Sequence, residues 1–448
     1  MKIIFVILIL PLFLSSTFGQ PGKPETNISL GVPQPLPTSV QLTSIYGLQN
    51  EQAVRIAEIQ AALQKEGLDG WLFYDFRGSD ILIPRILKIE RASGTRRWYY
   101  YIPAKGEPTK IVHAIEPEKL DALPGKKLIY REWQLIESNL CQAFFGGLTP
   151  KPLRIAMQYS PNNDIPYISR VDAGTIEMVR SLGVKVETSA DLVQQFEAVW
   201  TPEQLAMHLE ACKKLQKIII EAFGEIKRRM NENIPTTEVD IQQFMMKRFS
   251  EEGMNPEPMI VAVNANAASP HYFPTKDRNS PIKRGDLVLI DSVSKLSKEK
   301  APAVDLTWMG YVGEAVPEEY VKVWNIVRDA RDAAFKFVQE SFRANKVIKG
   351  AEVDDVARGV IKKAGYGDQF LHRTGHSIGE EGHGNGANID NLETRDSRRL
   401  IPGTAFSIEP GIYLEGKFGV RSEIDVYVSK GDAIITAPHQ IDIIAIMK

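Results

Sequence analysis

The chain has 448 residues, 43% of them hydrophobic and 25% charged, which predicts two or three domains of ordinary globular composition. With 54 Lys and Arg against 56 Asp and Glu, the formal charge of −2 excludes the strong bias that would point to nucleic acid or an acidic membrane as partner. Two cysteines, Cys141 and Cys212, supply neither a disulfide framework nor a cysteine-based metal site; one bridge between them and two unpaired thiols both stay open.

At the start of the chain Lys2 precedes an apolar run from Ile3 to Leu14, followed by small residues up to Gly19. This pattern predicts a signal peptide over residues 1–19, and hence a secreted or periplasmic protein with no membrane span after its removal. Residues 20–44, with Pro33, Pro35 and Pro37, read as a Pro-rich leader. A smaller α/β domain is expected over residues 45–200. In it Glu51–Lys65 has helical spacing, and Gly70–Tyr74, Arg97–Ile102, Lys110–His113 and Arg154–Met157 read as strands. A helix near Thr175–Leu182 continues the alternation, and His113, alone in a strand, reads as structural.

A second domain is expected over residues 201–448. Its first boundary is Thr201-Pro202-Glu203-Gln204, a capping-box signature with proline at the first helical position. The helix it opens should run to about Met230 and bury Leu205, Leu209, Cys212, Ile219, Phe223 and Ile226. Further helices are predicted over Glu238–Glu252, Glu318–Phe342 and Glu352–Ala364.

Chemistry concentrates in this second half. Asp291, Asp305, Glu409 and Glu423 each sit inside an apolar, strand-like run. Strand alternation puts Asp305 and Thr307 on one face against Val304, Leu306 and Trp308, and it puts Arg421, Glu423 and Asp425 together. Ionised carboxylates held against a core cost several kcal/mol each unless they are paired or bound to a metal. Four such acids are hard to neutralise with side chains alone, so a metal is the better reading. The histidines agree: His271, His372, His376 and His383 fall in the same half. His372 and His376 are four residues apart, but Gly375 and Gly379 argue against a helix there, so one of the two is expected on the metal. One imidazole and four carboxylates suit manganese, cobalt, iron or zinc, and the surplus negative charge calls for two ions.

The order Asp291, Asp305, His376, Glu409, Glu423, with Glu409-Pro410-Gly411 and Gly419-Val420-Arg421-Ser422-Glu423, resembles the pita-bread metallopeptidases. The smaller domain ahead of it is similar to the one found in the creatinase, prolidase and aminopeptidase P branch. The resemblance implies an α+β fold, with a C-terminal pita-bread catalytic domain preceded by a creatinase-N-like domain. It implies a homodimer that cleaves an N-terminal residue from a peptide substrate, favouring Xaa-Pro bonds, by attack of a hydroxide held between two divalent ions, manganese first. Asp291 would bind one ion, His376 and Glu409 the other, and Asp305 and Glu423 would bridge. His271 and His383 would face the substrate carbonyl, His372 would be a further active-site histidine, Arg421 would order the carboxylates, and Glu409 would shuttle the proton. A lyase or another hydrolase on the same fold, or an inactive binding protein, are the alternatives. Two departures from the family stand out. The Asp291–Asp305 spacing is lengthened through Lys295–Lys300, and a polar loop, Asn385–Arg399, follows His383.

Overall fold

Apolar alternation builds the first sheet. Six strands, β1 (Gly70–Asp75), β2 (Trp98–Pro103), β3 (Thr109–His113), β4 (Lys126–Tyr130), β5 (Arg154–Met157) and β6 (Lys185–Thr188), lie in the order β4-β3-β2-β1-β5-β6. β1, β2 and β3 pair antiparallel, and the outer pairings are parallel. Trp71, Phe73, Tyr100 and Ile102 enter the core on one face with Ile59 and Leu63 of α1 (Ser39–Lys65). Leu72, Tyr74, Tyr99 and Tyr101 enter the core on the other. Both faces are covered, which is why these strands are apolar nearly throughout. Helices α2 (Ile83–Leu87), α3 (Gln134–Phe145), α4 (Ala173–Ser181) and α5 (Ala190–Glu197) complete this half.

The computed structural model describes residues 39–90, 94–147 and 152–448, of which residues 48–448 pack as one unit. The expected signal peptide, and the leader up to Thr38, lie outside the described residues. The first helix begins at Ser39 rather than at Glu51.

In the second half α6 (Pro202–Asn231) opens with the expected reciprocal cap between Thr201 and Gln204. Its buried face differs in detail. His208, Ala211, Leu215 and Ile218 are buried beside Cys212, Ile219, Phe223 and Ile226, whereas Leu205 and Leu209 are only half-buried. Together with α7 (Glu238–Glu251), α6 packs on one face of a four-stranded sheet in the order β16-β9-β8-β7. Those strands are β7 (Ile260–Val263), β8 (Leu287–Ser294), β9 (Val304–Tyr311) and β16 (Ile444–Ala445). A second sheet, β10-β11-β14-β15, contains β10 (Ser377–Ile378), β11 (Ala405–Ile408), β14 (Ile424–Ser429) and β15 (Asp432–Ile435). The hairpin β12 (Gly411–Leu414)–β13 (Phe418–Arg421) forms a separate two-stranded sheet. Helices α8 (Glu318–Arg343) and α9 (Gly350–Lys363) share a core with both larger sheets through Leu289, Met309, Phe406, Ile424 and Val426. Among the described residues no helix is long and apolar enough to cross a membrane.

Candidate metal and peptide site

The hairpin β8–β9 sets the first acids. Asp291 is registered opposite Thr307, and Val293 opposite Asp305, so Asp291, Asp305 and Thr307 share the face that Leu289 and Met309 continue into the core. Val304, Leu306 and Trp308 take the opposite face, as alternation predicts. Lys295–Lys300 lengthen the hairpin and dock on the end of α7, through Asn255 N–H to Lys295 O (2.9 Å) and Ser297 N–H to Gly253 O (3.0 Å).

His376 lies on extended chain rather than on a helix. Its backbone N–H donates to Ser407 Oγ (3.1 Å), its carbonyl accepts from Ser407 N–H (2.8 Å), and Glu409 N–H donates to Thr374 O (2.7 Å). These bonds fix His376 against the strand that ends in Glu409. The approach is possible because residue 375 is glycine: a Cβ there would lie 2.0 Å from Ser407 O. The imidazole Nδ1 donates to Ser377 O (3.1 Å), which leaves Nε2 as the free ligand nitrogen.

Glu423 lies between the ends of β13 and β14, where the chain passes from one sheet to the other. Simple alternation from Arg421 to Asp425 is therefore broken. Arg421 and Glu423 line the cleft, while Asp425 accepts from Asp305 N–H (2.9 Å) and is not among the cleft residues.

One cleft of about 580 Å³ collects every residue singled out from the sequence: Asp291, Asp305, His376, Glu409, Glu423, His271, His372, His383 and Arg421. Ligand atoms of Asp305, His376 and Glu423 all lie within 4.8 Å of one another. His376 Nε2 is 3.6 Å from Asp305 Oδ2 and 3.5 Å from Glu409 Oε1. Glu423 Oε1 is buried without a hydrogen-bond partner. An orphaned carboxylate oxygen beside three other acids and an imidazole is the donor set a divalent cation fits. A hollow of similar size, about 630 Å³, lies beside Arg55, Glu66, Asp191 and Arg399, but none of these histidines or acids lines it.

The electrostatics agree with that fit. Burial, opposed in part by Arg421, raises Asp291, and burial with the neighbouring charges of Asp305, Glu409 and Asp291 raises Glu423 well above the carboxylate range. Glu409 is pushed up to about 7, chiefly by burial. Burial alone would lower His376, but its bond to Asp305 and the charges of Glu409 and Asp305 outweigh it and raise the imidazole. Arg421 is not enough to balance the acids.

A hydrogen-bonded chain orders them. His372 Nδ1 donates to Arg373 O (2.7 Å), so its Nε2 accepts from Tyr413 O–H (2.7 Å). The Tyr413 oxygen accepts from Arg421 Nη1 (3.1 Å). Arg421 Nε donates to Thr307 Oγ1 (3.0 Å), whose hydroxyl donates to Glu423 Oε2 (2.8 Å), and Arg421 Nη2 pairs with Asp291 Oδ2. Both nitrogens of His372 are thus engaged by the protein. His271 and His383 present open edges in the cleft, with the His383 ring 4.2 Å from that of His376. The packed part of the His383 ring loses water, and this, with the charges of His376 and Arg373, lowers it to about 4.

Sequence reasoning missed three polar residues of the cleft wall, besides its apolar ones. Tyr167, from the first half, accepts from Arg373 Nη1 (2.7 Å), and Arg373 N–H donates to Glu393 Oε1 (2.9 Å). Arg373 adjoins a flagged histidine, and Glu393 lies in the flagged polar loop; Tyr167 carries no sequence signal. Part of that loop is packed: Asn388, Asp390, Asp396 and Arg398 are buried.

Comparisons place this geometry among known proteins. Residues 207–430 match metallopeptidase family M24. The chain is 30% identical over 257 residues to the Xaa-Pro dipeptidase of Lactobacillus helveticus, covering 56% of this chain and 62% of that one. It is 29% identical over 243 residues to the Xaa-Pro dipeptidase of Pyrococcus furiosus, covering 54% and 64%. The chain thus spans slightly less than two thirds of each of these relatives. A probable dipeptidase, PepE, of Mycobacterium bovis is 29% identical over 359 residues, covering 77% of this chain and 85% of the relative. The crystal structure of dipeptidase PepE from Mycobacterium ulcerans shares the fold, with a TM-score of 0.63 at 23% identity over 89% of this chain and 98% of that one. The α+β, pita-bread architecture follows from that likeness. With the match covering half the chain and containing all five acid and imidazole ligand candidates, this protein belongs to metallopeptidase family M24.

Proposed function

We propose that this protein is a metal-dependent dipeptidase or aminopeptidase that removes an N-terminal residue from peptides, with Xaa-Pro bonds preferred. The convergence of Asp305, His376 and Glu423 within 4.8 Å, inside a cleft that also contains Glu409, His271 and His383, carries this reading. The Xaa-Pro dipeptidases among its relatives support the substrate class. In this reading Asp291, Asp305, His376, Glu409 and Glu423 hold two divalent ions, manganese first, with Asp305 and Glu423 shared. Two ions are favoured over one because four carboxylates leave a single divalent ion with surplus negative charge. Bound there, the ions supply Lewis-acid polarisation and acidify a water.

The chain's own groups do the rest. Glu409, beside His376 in the cleft, would accept a proton and return it to the leaving amine. His383 is neutral at physiological pH and, with His271, donates to the developing charge on the carbonyl oxygen. His372 acts through Tyr413 and Arg421 as a positioning group. Export through residues 1–19 and a homodimeric state complete the proposal; the first rests on Lys2, the Ile3–Leu14 run and Gly19.

Purified full-length protein, reconstituted with manganese, is tested on Xaa-Pro dipeptides and on longer peptides that begin Xaa-Pro. Release of the first residue, abolished by a chelator, is expected. Metal-loaded protein that cleaves neither set would overturn the assignment.

A further inference from the structure

Behind the cleft, α6 carries a histidine and a cysteine one turn apart. His208 and Cys212 are both fully buried and face Asp425 of β14 and Thr436. Ligand atoms of His208, Cys212 and Asp425 lie within 4.8 Å of one another. His208 Nε2 is 3.3 Å from Cys212 Sγ and 3.8 Å from Asp425 Oδ2. For ligands at tetrahedral zinc, bond lengths of about 2.0–2.3 Å imply ligand–ligand separations of roughly 3.3–3.6 Å. These contacts are close to that spacing without a metal imposing it.

Two further features point to a cation. His208 Nδ1 donates to Ala303 O (2.7 Å), the arrangement that orients metal-binding imidazoles, and leaves Nε2 facing the cluster with the Thr436 hydroxyl 2.9 Å away. Asp425 is fully buried; its Oδ2 accepts from Asp305 N–H, but its Oδ1 has no hydrogen-bond partner. An isolated carboxylate in such a place is costly, and a cation removes the cost.

We propose that His208 Nε2, Cys212 Sγ and the Asp425 carboxylate form a second, structural metal site, for zinc, with the Thr436 hydroxyl beside it. The two anionic ligands neutralise a divalent ion, and the mixed sulfur, nitrogen and oxygen set suits zinc better than the harder ions expected in the cleft. Binding displaces the Cys212 thiol proton. The site ties α6 and β14 to the backbone at Ala303, just before β9, and at Asp305 within it, so it braces Asp305 from behind. It does not depend on the peptidase reading.

The full chain is produced in cobalt-containing minimal medium, so that metal enters as the protein folds, and its ultraviolet absorption is recorded. Thiolate ligation gives a sulfur-to-cobalt charge-transfer band that the oxygen and imidazole ligands of the cleft cannot give. The band is expected in the wild type and in Cys141→Ser, and is expected to fall to baseline in Cys212→Ser and in His208→Asn. A wild-type protein without the band, or a band that survives Cys212→Ser, would overturn the proposal. Because the wild-type spectrum decides alone, misfolding of a variant does not rescue the idea, and loss of peptidase activity with the band intact bears only on the function of the cleft.

Discussion

Arg421 pairs with Asp291 across two different sheets, its Nη2 on Asp291 Oδ2. The same guanidinium reaches Thr307 through Nε and Tyr413 through Nη1, so one planar group sets the position of an acid on β8 and a hydroxyl on β9. Lysine keeps the charge but not the fork. Arg421→Lys is therefore expected to lower metal affinity or activity about 10–100-fold, read by metal titration alongside kcat. Unchanged affinity and rate would show that the fork is dispensable.

Asp305→Ala and Glu409→Gln should separate ligation from proton transfer. The first deletes a proposed shared ligand, and bound metal should fall. The second keeps size and an oxygen donor while removing the base, so metal should largely remain and turnover should vanish. Metal counting on both variants, with kinetics on the second, checks the pair. Normal metal content in Asp305→Ala would remove its bridging role.

His271 and His383 are expected to leave metal stoichiometry unchanged when replaced by alanine, and each replacement should cut kcat about 10²–10³-fold. Steady-state kinetics with metal analysis decides this. Lost metal in His383→Ala would instead make that residue a ligand.

Glu409 gives the metal-free protein a pH signature. Its carboxyl is raised from 4.5 to about 7 in the folded chain, so between those values the folded state holds a proton that the unfolded state has released. Its contribution is fully present below the lower value and is lost as pH rises through the upper one. Relative to Glu409→Gln, the metal-free wild type should lose stability between pH 4.5 and 7, and saturating manganese should remove the difference. Denaturation midpoints of the two proteins across that range test it; a difference that grows in the opposite direction would contradict the assignment.

Gly375→Ala should fail by sterics alone. A Cβ 2.0 Å from Ser407 O forces β10 away from β11, costing about 1–3 kcal/mol or more and displacing His376. Thermal melting and metal content should fall together, and a variant of normal stability and metal content would show that the strands have room to part.

Much of this was readable from local pattern. The Thr201–Gln204 cap, the alternation around Asp305 and Thr307 and the glycines around His376 each act over a few residues, and each is found as expected. What escaped depends on distant parts of the chain. The start of α1 at Ser39 carries no strong local signal next to its prolines. Tyr167 enters the cleft only because the first half folds against Arg373. His208 and Cys212 meet Asp425 and Thr436, more than two hundred residues on, only in the folded chain. Alternation from Arg421 to Asp425 also failed, because the chain changes sheets in between.

The bond between Tyr167 and Arg373 carries the cleft beyond the family segment. Tyr167 lies outside the segment matched to the family, residues 207–430, yet its ring forms part of the wall of the chemical cleft. Tyr167 of the first half thus joins a wall otherwise built from the second half. A substitution at Tyr167 reshapes that wall while every acid and imidazole of the second half stays in place.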